Sequence, residues 1–185
     1  RVSPILFPIV GKLKDDQYSL DGKIYSMKQH GFARDSEFEI LSHTDESASF
    51  RLQPTEKTLL SYPFQFELEI HYTLHDRSLF IEWIVSNPSK TMLPFSIGGH
   101  PGFHLHKSLE NYKLVFDRPI TAERHLIENG YYSGITEPMM NESDTLLLSS
   151  ELFLSDAIVF KQVDFQSVSL KTIDNELVAT CSSSD

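Results

Sequence analysis

The feature that most constrains the fold is a run of strict alternation between apolar and polar residues. In residues 64–72 every second residue is aromatic or aliphatic, and the residues between them are Gln, Glu or His. Because successive side chains of a β-strand point to opposite faces, the run predicts a strand with one face on a core and the other in water. Such one-sided strands are typical of antiparallel sheets.

Other segments extend this pattern along the chain. Residues 79–85 are apolar apart from Glu82, and with the polar residues 74–78 as a turn they predict a β-hairpin with the first strand. Asp21-Gly22 and Asn129-Gly130 are typical of tight turns. Further strands are predicted at 18–20, 23–25, 37–41, 48–52, 112–116, 157–160 and 167–170. No long window has helical period, and residues 146–153 fit either a helical turn or a loop. Many short strands predict an all-β sandwich or barrel.

Composition narrows the class of partner. The chain is 40% hydrophobic and 11% aromatic, enough for a sizeable core. Its 26 acidic residues outnumber its 16 basic ones, and the formal charge of −10 argues against nucleic acid or an anionic membrane as partner. A neutral ligand fits this balance. The single cysteine, Cys181, excludes a disulfide framework and fits a reducing cytosol, so we expect a cytoplasmic protein.

The ends of the chain carry no targeting signal that we recognise. No run approaches the roughly 20 apolar residues of a membrane helix, and no signal-peptide pattern opens the sequence. The chain begins with Arg1 and ends just after strand-like sequence. We therefore expect one domain over residues 1–185, trimmed or divergent at both ends.

The segment 98–106, Gly-Gly-His-Pro-Gly-Phe-His-Leu-His, is the first candidate for chemistry. Two glycines before His100 allow close backbone approach to a ligand, and an imidazole can exchange a proton near neutral pH. A structural histidine in a turn is the alternative. His104 and His106 would share one face of an extended chain and could bind zinc, but no zincin motif accompanies them, and solvated histidines fit as well.

Two more segments carry polar groups beside apolar ones. Residues 29–35, Gln-His-Gly-Phe-Ala-Arg-Asp, look like a binding loop in which His30 donates to a hydroxyl. Arg34 either contacts the ligand or pairs with a neighbouring carboxylate. Residues 4–10 are predicted to be core, and Lys12 and Lys14 follow them, each ambiguous by itself.

The order of these motifs resembles the aldose 1-epimerase family, and most closely its LacX-like branch. The resemblance rests on Pro-Ile-Leu-Phe-Pro-Ile-Val-Gly at 4–11, Gln-His-Gly-Phe-Ala-Arg-Asp at 29–35, Ser-Ile-Gly-Gly-His-Pro-Gly-Phe at 96–103 and Ser-Asp-Ala-Ile at 155–158. It implies a galactose mutarotase-like β-sandwich and interconversion of the α and β anomers of an aldose such as galactose or glucose. It implies no metal and no organic cofactor.

The resemblance also implies roles for single residues. His100 matches the general acid that protonates the ring oxygen, His30 matches the histidine that contacts sugar hydroxyls, and Asp156 matches an aspartate that accepts hydrogen bonds from them. An arginine often follows the first motif in the family. Here Lys12 stands in its place and keeps the charge without the planar fork of arginine. Arg34 is a further candidate for substrate contact.

The family's general base is a glutamate in a late strand, and no segment of this chain matches its context. Glu176 lies at a predicted turn, and we do not assign it that role. Two functions therefore stay open. One is a mutarotase that opens the sugar ring by acid and base catalysis, and the other is a carbohydrate-binding domain of the same fold without catalysis.

Overall fold

A computed structural model describes residues 4–183 and is built almost entirely of strands. The strands are β1 (Ile5–Leu6), β2 (Gln17–Leu20), β3 (Lys23–Ser26), β4 (Glu39–His43), β5 (Ser47–Leu52), β6 (Glu67–His75), β7 (Ser78–Ser86), β8 (Gly98–Gly99), β9 (Tyr112–Glu128), β10 (Tyr131–Leu147), β11 (Ser167–Thr172) and β12 (Leu177–Ser182). The helical pieces are α1 (Glu56–Ser61) and 3₁₀ turns at Lys14–Asp16, Ala33–Asp35, Leu109–Asn111 and Ser150–Phe153. Within residues 4–183, no helix is long and apolar enough to cross a membrane.

The chain divides into two compact units, Arg1–Gly102 and Phe103–Asp185. The first contains a four-stranded sheet in the order β4-β5-β6-β7 and the small pairs β1-β8 and β2-β3. The second contains a four-stranded sheet in the order β10-β9-β11-β12. All these strand pairs are antiparallel. The prediction of one domain over the whole chain stays a prediction.

Residues 67–72 of the alternating run form the first part of β6, which pairs with β7 as expected, while residues 64–66 precede the strand. Phe66, Leu68 and Ile70 are at most 4% exposed, which confirms the predicted core face. The strand continues to His75, and β7 begins at Ser78. The predicted turn over 74–78 is therefore too long, because only two residues separate the paired strands.

The core of the first unit forms around Phe7, which is fully buried. Its ring contacts that of Phe66 at 5.2 Å between centroids, and Phe32 and Tyr62 pack edge-on against it at 6.3 and 6.2 Å. Burial of each such ring stabilises the fold by about 1.5–3 kcal/mol. The apolar run 4–10 is core over Ile5, Leu6, Phe7 and Pro8, as predicted, but Val10 at its end is 50% exposed.

Both predicted tight turns join paired strands. Asp21 and Gly22 have φ of 50° and 78°, and Asn129 and Gly130 have φ of 54° and 82°. Consecutive positive φ values are those of the type I′ turn, which suits the twist of a hairpin. The second hairpin is far longer than the strand predicted at 112–116, because β9 and β10 have 17 residues each.

Two local predictions are wrong or incomplete. Residues 157–160 are not a strand; Ile158 and Phe160 instead pack as partly buried side chains on the core of the second unit. The short helix α1 was not predicted. Its N-cap residue is Thr55, and the side chains of Thr55 and Thr58 cap each other's backbone amides. Residues 146–153 combine the end of β10 with a 3₁₀ turn.

Candidate active site

The loop that carries His30 is held against the core by its backbone. The carbonyl of Phe7 accepts hydrogen bonds from the amides of Phe32 (3.0 Å) and Ala33 (3.2 Å). Gly31 is buried at φ 71°, and a Cβ there would fall onto the Phe7 carbonyl oxygen. The His-Gly dipeptide therefore reflects a close approach of two backbone segments, which only glycine permits.

The ring of His30 is fixed in one tautomer. The amide of Gly11 donates to His30 Nδ1 at 3.1 Å, and the amide of His30 donates to the Gly11 carbonyl at 2.8 Å. Because Nδ1 accepts a hydrogen bond, the neutral ring carries its proton on Nε2. Burial lowers the pKa of His30, and the positive charge of Arg34 and the neighbouring His100 lower it further. His30 is thus a neutral donor through Nε2 at physiological pH.

His100 follows the glycine pair of β8. Its amide donates to the carbonyl of Pro4 at 3.1 Å, which continues the β1–β8 pairing. A Cβ at Gly99 would lie 3.1 Å from Cη2 of Trp83, so this glycine lets β8 pass directly over the indole ring. The His100 side chain is thereby presented at an exposed position of a fixed backbone.

The structure brings the two predicted histidines together. The rings of His30 and His100 lie 6.2 Å apart between centroids at an interplanar angle of 68°, an edge-to-face contact. His30 is half-buried and His100 is exposed. Two imidazoles in this arrangement can act on neighbouring atoms of one small molecule, one as a hydrogen-bond donor and one as a proton carrier.

Arg34 supports the His30 loop from the 3₁₀ turn Ala33–Asp35. Its guanidinium donates to the Gln29 carbonyl at 3.0 Å and lies 3.8 Å from the Asp35 carboxylate. It also lines one side of a groove of about 420 Å³ whose other walls are largely apolar, with Phe50 and Tyr72 among them. The sequence left two roles open for Arg34, ligand contact or pairing with a neighbouring carboxylate, and the structure contains the pairing, with Asp35.

Lys12 and Asp156 are placed by different local structures. Lys12 is exposed and directly follows Gly11, whose amide holds the His30 ring. Asp156 belongs to the second unit, where it is exposed at φ 75° and accepts a hydrogen bond from the Ala157 amide at 2.7 Å. The roles predicted for these residues in sugar binding stay predictions.

His104 and His106 contact each other edge-to-face, with centroids 4.8 Å apart. The amide of His106 donates to the hydroxyl of Tyr112 at 3.1 Å, so this segment is tied to the start of β9. Among residues 4–183, no group of three or more His, Cys, Asp or Glu is arranged to hold a metal ion.

Sequence reasoning missed two contributors to the site. Trp83 supports β8 through its ring, and Gly11 orients His30 through its amide. An apolar strand gives no hint of what its tryptophan touches. Gly11 has φ 96°, and a glycine at the end of the first motif is the sequence signal that could have indicated this backbone geometry.

Comparison with known proteins agrees with this fold. The family model described as aldose 1-epimerase matches residues 2–152. The LacX proteins of Lactococcus lactis subsp. lactis, one chromosomal and one plasmid-encoded, are each 32% identical over 184 residues, covering 92% of this chain and 61% of theirs. The chain thus spans about 61% of the length of these curated relatives.

Solved structures give the same picture. A galactose mutarotase related enzyme from Lactobacillus acidophilus superposes with a TM-score of 0.86 at 35% identity, covering 94% of this chain and 60% of the other. A galactose mutarotase-like protein from Lactobacillus casei superposes with a TM-score of 0.82 at 28% identity, with 94% and 62% coverage. The predicted all-β, galactose mutarotase-like fold is confirmed.

These findings show that the chain belongs to the aldose 1-epimerase family. Its similarity to the two LacX proteins places it in the LacX-like branch of that family, as the motifs indicated.

Proposed function

We propose that this protein is a mutarotase that interconverts the α and β anomers of an aldose such as glucose or galactose. One observation carries the proposal: the imidazoles of His30 and His100 meet edge-to-face at 6.2 Å, beside backbone that fixes both of them. Membership of the family supplies the class of substrate, a sugar.

The two histidines differ in what they can do. His30 Nδ1 is occupied by the Gly11 amide, so His30 offers its Nε2 proton as a hydrogen-bond donor and does not take up a proton without losing that contact. His100 has its ring exposed and its backbone anchored by Pro4. We assign His100 as the general acid and His30 as the donor that holds a sugar hydroxyl.

The reaction asks for two proton transfers. A base takes the proton from the C1 hydroxyl, His100 gives a proton to the ring oxygen, and the bond between C1 and the ring oxygen breaks to leave an open-chain aldehyde. Rotation about the C1–C2 bond and the reverse transfers then close the ring as the other anomer. Arg34 and Lys12 contact substrate oxygens in this proposal, and Asp156 accepts hydrogen bonds from ring hydroxyls.

The base remains unassigned within this chain. Glu176 lies in the turn before β12, where its amide donates to the Thr172 hydroxyl at 3.0 Å. The resemblance implies a general base on a strand, and Glu176 lies in a turn instead.

The test follows the optical rotation of freshly dissolved α-glucose and α-galactose with the complete open reading frame that contains this chain. We expect acceleration over the spontaneous rate, and a loss of about 10²–10⁴-fold in kcat on His100→Ala. His43→Ala, which removes an exposed imidazole from β4, is the matched control and should retain full activity. A wild-type protein that leaves the spontaneous rate unchanged would overturn the proposal.

A carbohydrate-binding domain without catalysis is the second candidate. In this alternative His30 and His100 bind sugar hydroxyls without transferring a proton. Calorimetric titration with the same sugars distinguishes the two functions. Saturable binding weakened by His30→Asn, with no effect on the rate of anomer exchange, would support the binding domain over the enzyme.

A further inference from the structure

A second histidine network lies on the sheet β4-β5-β6-β7, away from His30 and His100. Ser49 Oγ is 2.8 Å from Nδ1 of His71, and Nε2 of the same ring is 3.0 Å from Oε2 of Glu69. A hydroxyl, an imidazole and a carboxylate are therefore joined in series by two short hydrogen bonds, each to a different ring nitrogen.

Strand register places the three side chains on one face. Ser49 of β5 and His71 of β6 are direct cross-strand partners, and Glu69 precedes His71 by one strand repeat. The alternate residues Leu68 and Ile70 are buried, so the network lies on the face opposite the core. His71 and Glu69 keep 30% and 25% of their side-chain surface, which leaves the network open to a small molecule.

The hydrogen bonds have a consistent direction. When the Ser49 hydroxyl donates to Nδ1, the neutral ring carries its proton on Nε2 and donates it to the carboxylate of Glu69. Arg51 stands opposite Glu69 across the β5–β6 pair. Glu82 stands opposite His71 on β7. The contact with Glu69 holds the ring in the tautomer whose Nδ1 can accept the Ser49 proton.

We propose that Ser49 is a nucleophile for activated acyl esters, with His71 as its general base and Glu69 as a positioning residue. This arrangement has the roles, although not the sequence order, by which serine hydrolases activate a hydroxyl. The inference is independent of the mutarotase proposal, because it uses none of the same side chains.

The chemical step balances with an ester and water alone. Ser49 Oγ attacks the carbonyl carbon and forms the new C–O bond while its proton passes to His71 Nδ1. The tetrahedral intermediate then expels the alcohol oxygen with its bonding electrons, and the proton on His71 passes to that oxygen or, for a weakly basic leaving group, to solvent water, so that the ring is neutral again. Water, deprotonated by the same ring, cleaves the acyl-serine and restores the hydroxyl.

The test uses a fluorophosphonate probe and 4-nitrophenyl acetate on the intact chain. The probe forms a Ser Oγ–P bond, loses fluoride and adds a defined mass. We expect tandem mass spectrometry to find that mass on Ser49, with labelling at least tenfold slower in His71→Asn. Release of 4-nitrophenolate should fall at least tenfold in Ser49→Ala. Ser86→Ala is the matched control, since Ser86 lies on the same face opposite Glu67, and should change neither readout.

Glu69→Gln isolates the role of the carboxylate charge. The amide oxygen can still accept from Nε2, so we expect slower labelling with an unchanged unfolding midpoint, a result that a merely structural Glu69 would not give. Wild-type protein with no adduct on Ser49, or labelling of Ser49 that His71→Asn does not slow, would overturn the proposal. The position of the adduct in wild-type protein decides the matter even if a variant fails to fold.

Discussion

Two loops of the molecule carry residues predicted to bind sugar, and they are built in different ways. His30 and Asp156 both have positive φ, 67° and 75°. The His30 loop has buried neighbours in Gly31 and Ala33 and is bonded to distant backbone at Phe7 and Gly11. Asp156 is exposed, and its carboxylate bonds to the amide of the next residue.

The difference separates a side chain placed by the core from one placed by its own turn. The direction of the His30 ring depends on contacts between segments far apart in sequence, so a change anywhere in that packing moves the ring. The position of Asp156 depends on a local hydrogen bond of the kind that Asp forms in turns. We therefore expect substitutions in the first loop to affect stability and binding together, and substitutions in the second to affect binding alone.

Gly31→Ala is the most severe way to break the first loop. The new Cβ would fall onto the Phe7 carbonyl oxygen, and φ of 71° is unfavourable for alanine. We expect the free energy of unfolding to fall by about 2–5 kcal/mol, as measured by urea denaturation.

Gly22→Ala is the matched control for that substitution. Gly22 has φ 78°, and a Cβ there would meet no atom of the described residues within 4 Å, so this variant tests backbone strain without a clash. We expect it to lose only about 1 kcal/mol. Equal losses in the two variants would mean that close packing on Phe7 contributes nothing.

His30→Asn and His30→Ala separate the structural role of the ring from its binding role. Asparagine tolerates positive φ, and its side-chain oxygen can replace Nδ1 as the acceptor for the Gly11 amide. We expect His30→Ala to lose about 1–2 kcal/mol of unfolding free energy and His30→Asn about 0.5 kcal/mol. Both lack the Nε2 donor, so both should weaken sugar binding by about tenfold in calorimetric titrations.

If His30→Asn binds sugar like the wild type, the Nε2 donor has no part in recognition. If it is as unstable as His30→Ala, the contact with the Gly11 amide is not what holds the loop. Either result would remove one half of the role assigned to this histidine.

The contrast between the loops also explains what could be predicted from the sequence. Alternation identified β6 and its buried face, and Asp-Gly and Asn-Gly identified two hairpins, because these signals act between neighbouring residues. The motifs likewise predicted site roles for His30 and His100, and those roles stay predictions. Their edge-to-face contact depends on β1 pairing with β8 and on Phe7 meeting Gly31, and no local pattern encodes such pairings.

The errors have the same physical origin. Residues 157–160 have the apolar residues of a strand, but Ile158 and Phe160 fill a core from an irregular segment. The helix α1 is only 6 residues long, too short for a periodic signal, and its threonine caps are visible only once the backbone is known. Whether apolar residues are buried from a loop or from a strand, and whether a threonine caps a helix, both depend on tertiary context.

The titration of His30 gives a smaller effect with a definite sign. Burial, then Arg34 and then His100 hold its pKa below the ordinary value of 6.5. The folded protein therefore binds this proton less readily than the unfolded chain. The stability from neutral His30 is complete above that ordinary value and declines as the pH falls below it. Lowering the pH from about 7.5 to about 5.5 should therefore destabilise the wild type more than His30→Asn, as measured by thermal unfolding. Parallel losses in both would show that other groups govern the acid sensitivity.

Asp156→Gly should have the smallest effect on the fold and tests the second loop most cleanly. Glycine accepts φ of 75° without strain, so this substitution removes the carboxylate and its bond to the Ala157 amide while leaving the backbone conformation accessible. We expect the free energy of unfolding to change by no more than about 0.5 kcal/mol. Sugar affinity should still fall by about tenfold or more, because a hydrogen bond to a charged acceptor makes a net contribution of about 1.5–3 kcal/mol. A large loss of stability would make Asp156 a structural residue like Gly31, and unchanged affinity would make it an ordinary turn aspartate.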